Sequence, residues 1–179
     1  RGIAWADANP SRALALILLL ALLLNAARIW SDPPVYTEGQ TERWWPIVLN
    51  LLEGHGYAQC IPEYFPFCGP ANQLTAGHEP VPVLLFAGVA RFTGQSLLAA
   101  SFVELLLNLA VVLACYALTL EWAGQRAALV AALLWALYLP AVKLVPQVSG
   151  ELVSALLIPV TLTFFYRGRR TGRARDWLA

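Results

Sequence analysis

The stretch LLAASFVELLLNLAVVLACYALTLEW, residues 97–122, decides the fold class. It exceeds the roughly 20 apolar residues that an α-helix needs to cross the hydrocarbon core of a bilayer. An ionisable group at membrane depth costs about 2.5–3.5 kcal/mol by insertion scales. We therefore expect Glu104 to face protein or a polar cavity and not lipid, with functional and packing explanations both open.

The composition agrees with a membrane protein. The chain is 59% hydrophobic and 13% charged, whereas charged residues make up about a quarter of a soluble domain. A net charge of +1 leaves no basic surface for nucleic acid. The expected partners are the lipid bilayer and other membrane proteins.

Further apolar blocks predict an all-α integral membrane protein with about four spans and a long first loop that carries surface-lying amphipathic helices. The predicted segments begin with a cytoplasmic N-terminus at 1–12, a first span at 13–30 and an extracytoplasmic loop at 31–96. Three further spans follow within 97–166, at 97–122, 126–145 and 151–166. A basic tail occupies 167–179.

Charge bias predicts the orientation. Five arginines follow the last span directly: Arg167, Arg169, Arg170, Arg173 and Arg175. Such clusters mark the cytoplasmic side of a membrane. Residues 31–79, by contrast, carry six acidic residues and the single basic residue Arg43. We expect both termini in the cytoplasm of a bacterium and residues 31–96 in the periplasm, outside the cytoplasmic (inner) membrane. The block at 80–93 is too short for a crossing and is expected to be a re-entrant or interfacial helix.

The outer loop combines three predicted features. Residues 42–52, ERWWPIVLNLL, predict an amphipathic helix lying on the membrane surface, which Gly54 and Gly56 end. Cys60 and Cys68 are candidates for a disulfide, with two buried thiols as the alternative. Aromatic side chains are candidate interface anchors: Trp44, Trp45, Tyr64, Phe65 and Phe67.

The order of these segments resembles the N-terminal portion of the type-C (GT-C), family 39-like membrane glycosyltransferases, which include protein O-mannosyltransferases and aminoarabinose transferases. The matching stretches are NLLEGHGY at 50–57, TAGHEPVPVLLFAGVARFTG at 75–94 and GQRAALVAALLWALYLP at 124–140. In these enzymes the first outer loop typically shows D-E-x-x-Y, then A-x-N-L-L-x-G-x-G-Y, then R-P-P-G-Y-P-L-L. The resemblance covers nearly the whole chain.

The resemblance implies a loop acid that acts as general base on the acceptor and a donor sugar carried on a polyprenyl phosphate. Counting back from Asn50 places the acid pair at Gln40 and Thr41, which carry no carboxylate. The nearest acids, Glu42 and Glu38, are the candidate bases, although Glu42 also suits the first turn of a helix for electrostatic reasons.

Four further residues are candidates for substrate binding: His78, Glu79, Lys143 and Glu151. Structural alternatives exist for three of them. A lone histidine such as His78 is more often a surface hydrogen-bonding residue than a ligand, Lys143 can snorkel to the interface, and Glu151 can cap the fourth span. Pro80 and Pro82, which follow Glu79, are explained by helix initiation alone.

Two functions follow. The first is a non-catalytic accessory subunit with the GT-C fold, packed in a larger membrane assembly such as an energy-transducing one. The second is the N-terminal part of an active transferase, since these enzymes have around a dozen spans and this sequence predicts four. We expect no cofactor. A divalent metal is expected only if the chain is part of an active transferase. We also expect no ligated pigment or haem, because His55 and His78 both lie in the loop.

Overall fold

The computed structural model describes residues 8–36, 40–58 and 79–172, and the regular elements found there are α-helices. They are α1 (Pro10–Ser31), α2 (Thr41–Leu52), α3 (Pro80–Thr93), α4 (Leu97–Ala136), α5 (Leu139–Leu144) and α6 (Glu151–Thr171). The predicted all-helical fold class is confirmed.

Three of these helices, α1, α4 and α6, are long and apolar enough to cross a membrane. Within α4 the residue Gly124 has a non-helical conformation, with φ 81° and ψ 179°, so two helices meet there at a kink. The predicted second and third spans, 97–122 and 126–145, lie on either side of this glycine. The total of four spans stays a prediction.

The chain divides into two compact units. Unit 1 comprises the described parts of Arg1–Ala27, Leu105–Val142 and Leu152–Ala179. Its apolar core contains small and β-branched residues: Ala21, Val112, Ala132 and Ala136. Small side chains allow transmembrane helices to approach closely.

A buried amide network crosses the core of unit 1. Asn108 Nδ2 donates to Asn25 Oδ1 at 3.0 Å, and Trp135 Nε1 donates to Asn108 Oδ1 at 2.9 Å. Asn25 Nδ2 donates in turn to the carbonyl of Ala21 at 2.7 Å. The network ties α1 to both halves of α4, and each amide has a partner, which removes the cost of a polar group in an apolar core.

Unit 2 comprises Arg28–Glu104 and Lys143–Glu151. In it α2 packs against α3 over a core of fully buried side chains: Trp45, Ile47, Val48, Val83 and Phe86. Helix α2 ends before Gly54 and Gly56, which adopt φ values of 80° and 82°, as its sequence predicts. The position of α2 on the membrane surface stays a prediction.

Helix α3 has the bounds that the sequence predicts. Pro80 stands at its first turn, where the missing amide hydrogen costs nothing. Gly94 ends it in the left-handed region at φ 65°, and its amide donates to the carbonyl of Ala90.

Candidate functional site

The start of α2 is tied to the segment that precedes α6. The backbone amide of Gln40 donates to Gln147 Oε1 at 3.1 Å. Thr41 is buried, and its Oγ1 accepts a hydrogen bond from the amide of Val148 at 3.1 Å. The family resemblance places the catalytic acid pair at these two positions, and the side chain of Thr41 is instead buried and bonded to Val148.

Glu104 supports the same segment from α4. Its side chain is fully buried, and Oε1 accepts from the amide of Ser149 at 2.8 Å and from its hydroxyl at 3.3 Å. The expectation that Glu104 faces protein is confirmed. Its Oε2 is buried without a hydrogen-bond partner among the described residues. Ser101, one turn earlier, donates to the carbonyl of Pro146 at 3.3 Å.

The starts of three helices meet at Gly150. A Cβ atom placed on this glycine would lie 2.7 Å from Cζ2 of Trp44, in the first turn of α2, and 3.2 Å from Cγ of Pro82, in the first turn of α3. Gly150 itself directly precedes α6. The close approach of Trp44 therefore requires glycine at this position.

Each of these helix starts carries an exposed predicted site residue. Glu42 lies in the first turn of α2, Glu79 is the N-cap residue of α3, and Glu151 begins α6. A carboxylate here complements the positive end of the helix dipole. An exposed carboxylate can also accept the proton of an acceptor hydroxyl.

A small recess lies beside Thr41. It is lined by Asp32, Pro33, Pro34, Val35, Thr41, Pro146 and Gln147. Asp32 is engaged in an ion pair with Arg28 at the end of α1. The recess has a volume of about 20 Å³, which is enough for a water molecule but not for a sugar.

The glycine-rich motif after α2 is held by its own asparagine. Asn50 is buried, its Nδ2 donates to the carbonyl of Ala58 at 2.6 Å, and its carbonyl accepts from the amide of His55 at 2.9 Å. Tyr57, at the end of this motif, has a pKa above its ordinary value because of burial and, secondarily, the negative charge of Glu79. The motif therefore lies near the start of α3.

The remaining predicted residues fall in several places. Lys143 is exposed in the last turn of α5. Trp44 and Trp45 are 4% and 2% exposed, so they pack inside unit 2. The others lie outside the described residues: Glu38, Cys60, Tyr64, Phe65, Phe67, Cys68 and His78.

The described ranges contain no group of three or more His, Cys, Asp or Glu side chains arranged to hold a metal ion. His55 Nδ1 lies 3.5 Å from Glu53 Oε2.

Sequence reasoning missed the partners of the buried polar residues. Gln147, Ser149 and Gly150 give no local signal, because their roles depend on residues that are distant in sequence. The amides Asn25 and Asn108 did carry a signal, since a polar side chain within an apolar span needs a partner.

The family model described as dolichyl-phosphate-mannose-protein mannosyltransferase matches residues 77–179. This range includes α3 to α6 and the segment that contacts the start of α2. No curated protein and no solved structure matches the chain.

Proposed function

The chain belongs to the dolichyl-phosphate-mannose-protein mannosyltransferase family, and from that premise we propose that it is a non-catalytic, accessory membrane subunit with the GT-C fold. Its three candidate spans and its family make it a multi-pass membrane protein. In the proposed role its spans and outer loop pack against other proteins in a larger membrane assembly.

The proposed location is a bacterial cytoplasmic membrane, with both termini in the cytoplasm and residues 31–96 outside. Support comes from the arginines at the end of α6, of which Arg167 and Arg170 lie 2.6 Å and 3.6 Å from the carboxylate of Glu121. Basic residues close to the end of a span favour the cytoplasmic side.

The residues at positions 40 and 41, Gln40 and Thr41, support the proposed non-catalytic role. Sequence resemblance aligns these positions with a catalytic acid pair. Here neither position carries a carboxylate, and the hydroxyl of Thr41 instead accepts a hydrogen bond from the amide of Val148. With Thr41 only 1% exposed, its side chain is not available to a sugar acceptor.

A crosslinking experiment tests the accessory role. A photoreactive amino acid at Phe65 or Phe67 should give one discrete crosslinked species in native membranes, and the chain should co-purify with that partner in mild detergent. The same group at Arg12, which is exposed and precedes the predicted first span, serves as the control for random contacts. A chain that runs as a monomer and gives the same crosslinks at every position would contradict the accessory role.

Glu42 supports a second candidate function, transfer of a sugar from a polyprenyl-phosphate donor to an extracytoplasmic acceptor. Its carboxylate is exposed, one residue beyond Thr41. In this reaction Glu42 takes the proton of the acceptor hydroxyl, the oxygen bonds to the anomeric carbon, and the sugar–phosphate bond breaks, with its electron pair leaving on the phosphate. A divalent metal is expected only for this second function.

A transfer assay separates the two functions. Membranes that contain the chain are supplied with radiolabelled polyprenyl-phosphate mannose, and label on acceptors is counted against membranes without the chain. The accessory role predicts equal counts. Transfer that depends on the chain, is lost in Glu42→Gln and persists in the matched control Glu63→Gln, another glutamate of the outer loop, would establish the enzyme and overturn the accessory role.

A further inference from the structure

Helix α3 has one face that packs inside unit 2 and one that does not. The packed face consists of Pro82, Val83, Phe86, Ala87 and Ala90. The other face is apolar and open: Val81, Leu84, Leu85 and Phe92 are 56%, 59%, 38% and 90% exposed. Gly88 and Arg91 continue this face at helical spacing. A cation therefore stands at the end of an exposed apolar stripe.

The ends of α2 and α3 flank an open cleft of about 300 Å³, a size within the range of small-molecule sites, about 300–1,000 Å³. Its lining residues are Leu52, Glu53, Ala90, Arg91, Gly94 and Gln95. Two of these carry opposite charges. Arg91 is exposed and has no ion-pair partner among the described residues. The side chain of Glu53 is 48% exposed, and its Oε2 lies 3.5 Å from Nδ1 of His55, which leaves its Oε1 for a ligand.

We propose that this cleft binds the headgroup of phosphatidylethanolamine, with Arg91 on the phosphate and Glu53 on the ammonium group. A guanidinium forms charge-assisted hydrogen bonds to phosphate oxygens in a paired geometry. The ammonium group donates hydrogen bonds to the carboxylate. The acyl chains of the same lipid lie along the exposed apolar face of α3, as they do beside an interfacial helix.

The paired charges select this lipid over phosphatidylglycerol and phosphatidylcholine. The headgroup of phosphatidylglycerol has the phosphate but no cation for Glu53, so the carboxylate repels its net negative charge. The headgroup of phosphatidylcholine has a cation, but its methyl groups replace the ammonium hydrogens that would bond to Glu53. Only a headgroup with both a phosphate and a primary ammonium satisfies both side chains.

Native mass spectrometry of the purified full chain tests the proposal. Each lipid is titrated in turn, and the fraction of the chain that carries one lipid is measured. We expect phosphatidylethanolamine to bind about tenfold more tightly than phosphatidylcholine or phosphatidylglycerol, which corresponds to one charge-assisted hydrogen bond. Equal binding of the three lipids, or tighter binding of phosphatidylglycerol, would overturn the proposal.

Variants assign the two contacts. Arg91→Gln should weaken phosphatidylethanolamine binding by about tenfold. Glu53→Gln should abolish the preference over phosphatidylglycerol. Arg43→Gln, which removes an exposed arginine at the other end of α2, is the matched control and should bind like the wild type. Since all three side chains are exposed, each variant should keep the wild-type unfolding midpoint. An unchanged lipid preference in Arg91→Gln or Glu53→Gln would refute the assigned contacts.

Discussion

Replacing Asn108 by leucine should destabilise unit 1. Leucine is similar in size, so the substitution removes two hydrogen bonds without opening a large cavity. Those bonds join Asn108 to Asn25 and to the indole of Trp135, at 3.0 Å and 2.9 Å. The partner side chains remain in place, and Asn25 is fully buried.

The magnitude follows from the number of bonds and from the groups left unpaired. Hydrogen bonds between transmembrane helices contribute about 0.6 kcal/mol on average, with a maximum of about 1.7. Two such bonds give about 1 kcal/mol at the average and about 3 at the maximum. A buried donor or acceptor left without its partner costs about 1–3 kcal/mol, which favours the upper half of that range. We expect Asn108→Leu to lower the free energy of unfolding by about 2 kcal/mol.

The assay is reversible unfolding in mixed micelles, followed by tryptophan fluorescence as the fraction of denaturing detergent rises. Thr163→Val is the matched control, because the Thr163 hydroxyl donates to the carbonyl of Pro159 within its own helix, at 2.7 Å. A double-mutant cycle with Asn25→Leu isolates the bond between the two amides. If Asn108→Leu is as stable as the control, or if the cycle gives no coupling energy, the network does not stabilise the fold.

Three further predictions use the same assay or a titration. Gly150→Ala should lower the free energy of unfolding by about 1–3 kcal/mol through overpacking. Its control, Gly88→Ala, has open space around the Cβ position and should be neutral or slightly stabilising. Equal effects of the two substitutions on stability would contradict this. Glu104→Gln keeps an acceptor oxygen and should change the free energy of unfolding little. Glu104→Leu should lower it by about 2 kcal/mol or more, because buried donors are left unpaired. A Glu104→Leu variant as stable as the wild type would contradict this. Glu79→Gln should lower the raised pKa of Tyr57, measured by ultraviolet absorption. Because folding raises this pKa, its stabilisation is present below the ordinary value of 10.0 and is lost as pH rises through the folded value. An unchanged titration would exclude the influence of Glu79.

The sequence predicted the elements that local chemistry determines. Helix α3 has its predicted bounds because Pro80 starts it and Gly94 ends it in a left-handed conformation. The end of α2 follows in the same way from Gly54 and Gly56. These signals act within a few residues, so a single sequence is sufficient to find them.

Contacts between segments that are distant in sequence could not be predicted from these local signals. The bond between Thr41 and Val148 joins residues 107 positions apart, and the bond between Glu104 and Ser149 joins residues 45 apart. Hydrophobic periodicity carries no information on which segments meet. The tryptophans show the same limit: an aromatic side chain suits both a protein interface and a core, and Trp44 lies in the core of unit 2.

The helical register of α2 determines which surface a carboxylate at position 41 or 42 would face. Each residue of an α-helix is rotated by about 100° from the one before, so neighbouring positions face different surroundings. Thr41 is 1% exposed and faces Val148, whereas Glu42 is exposed. A base at position 41 would thus act within the junction where three helix starts meet, whereas a base at position 42 would act outside it. A shift of one residue therefore changes which surface carries the carboxylate.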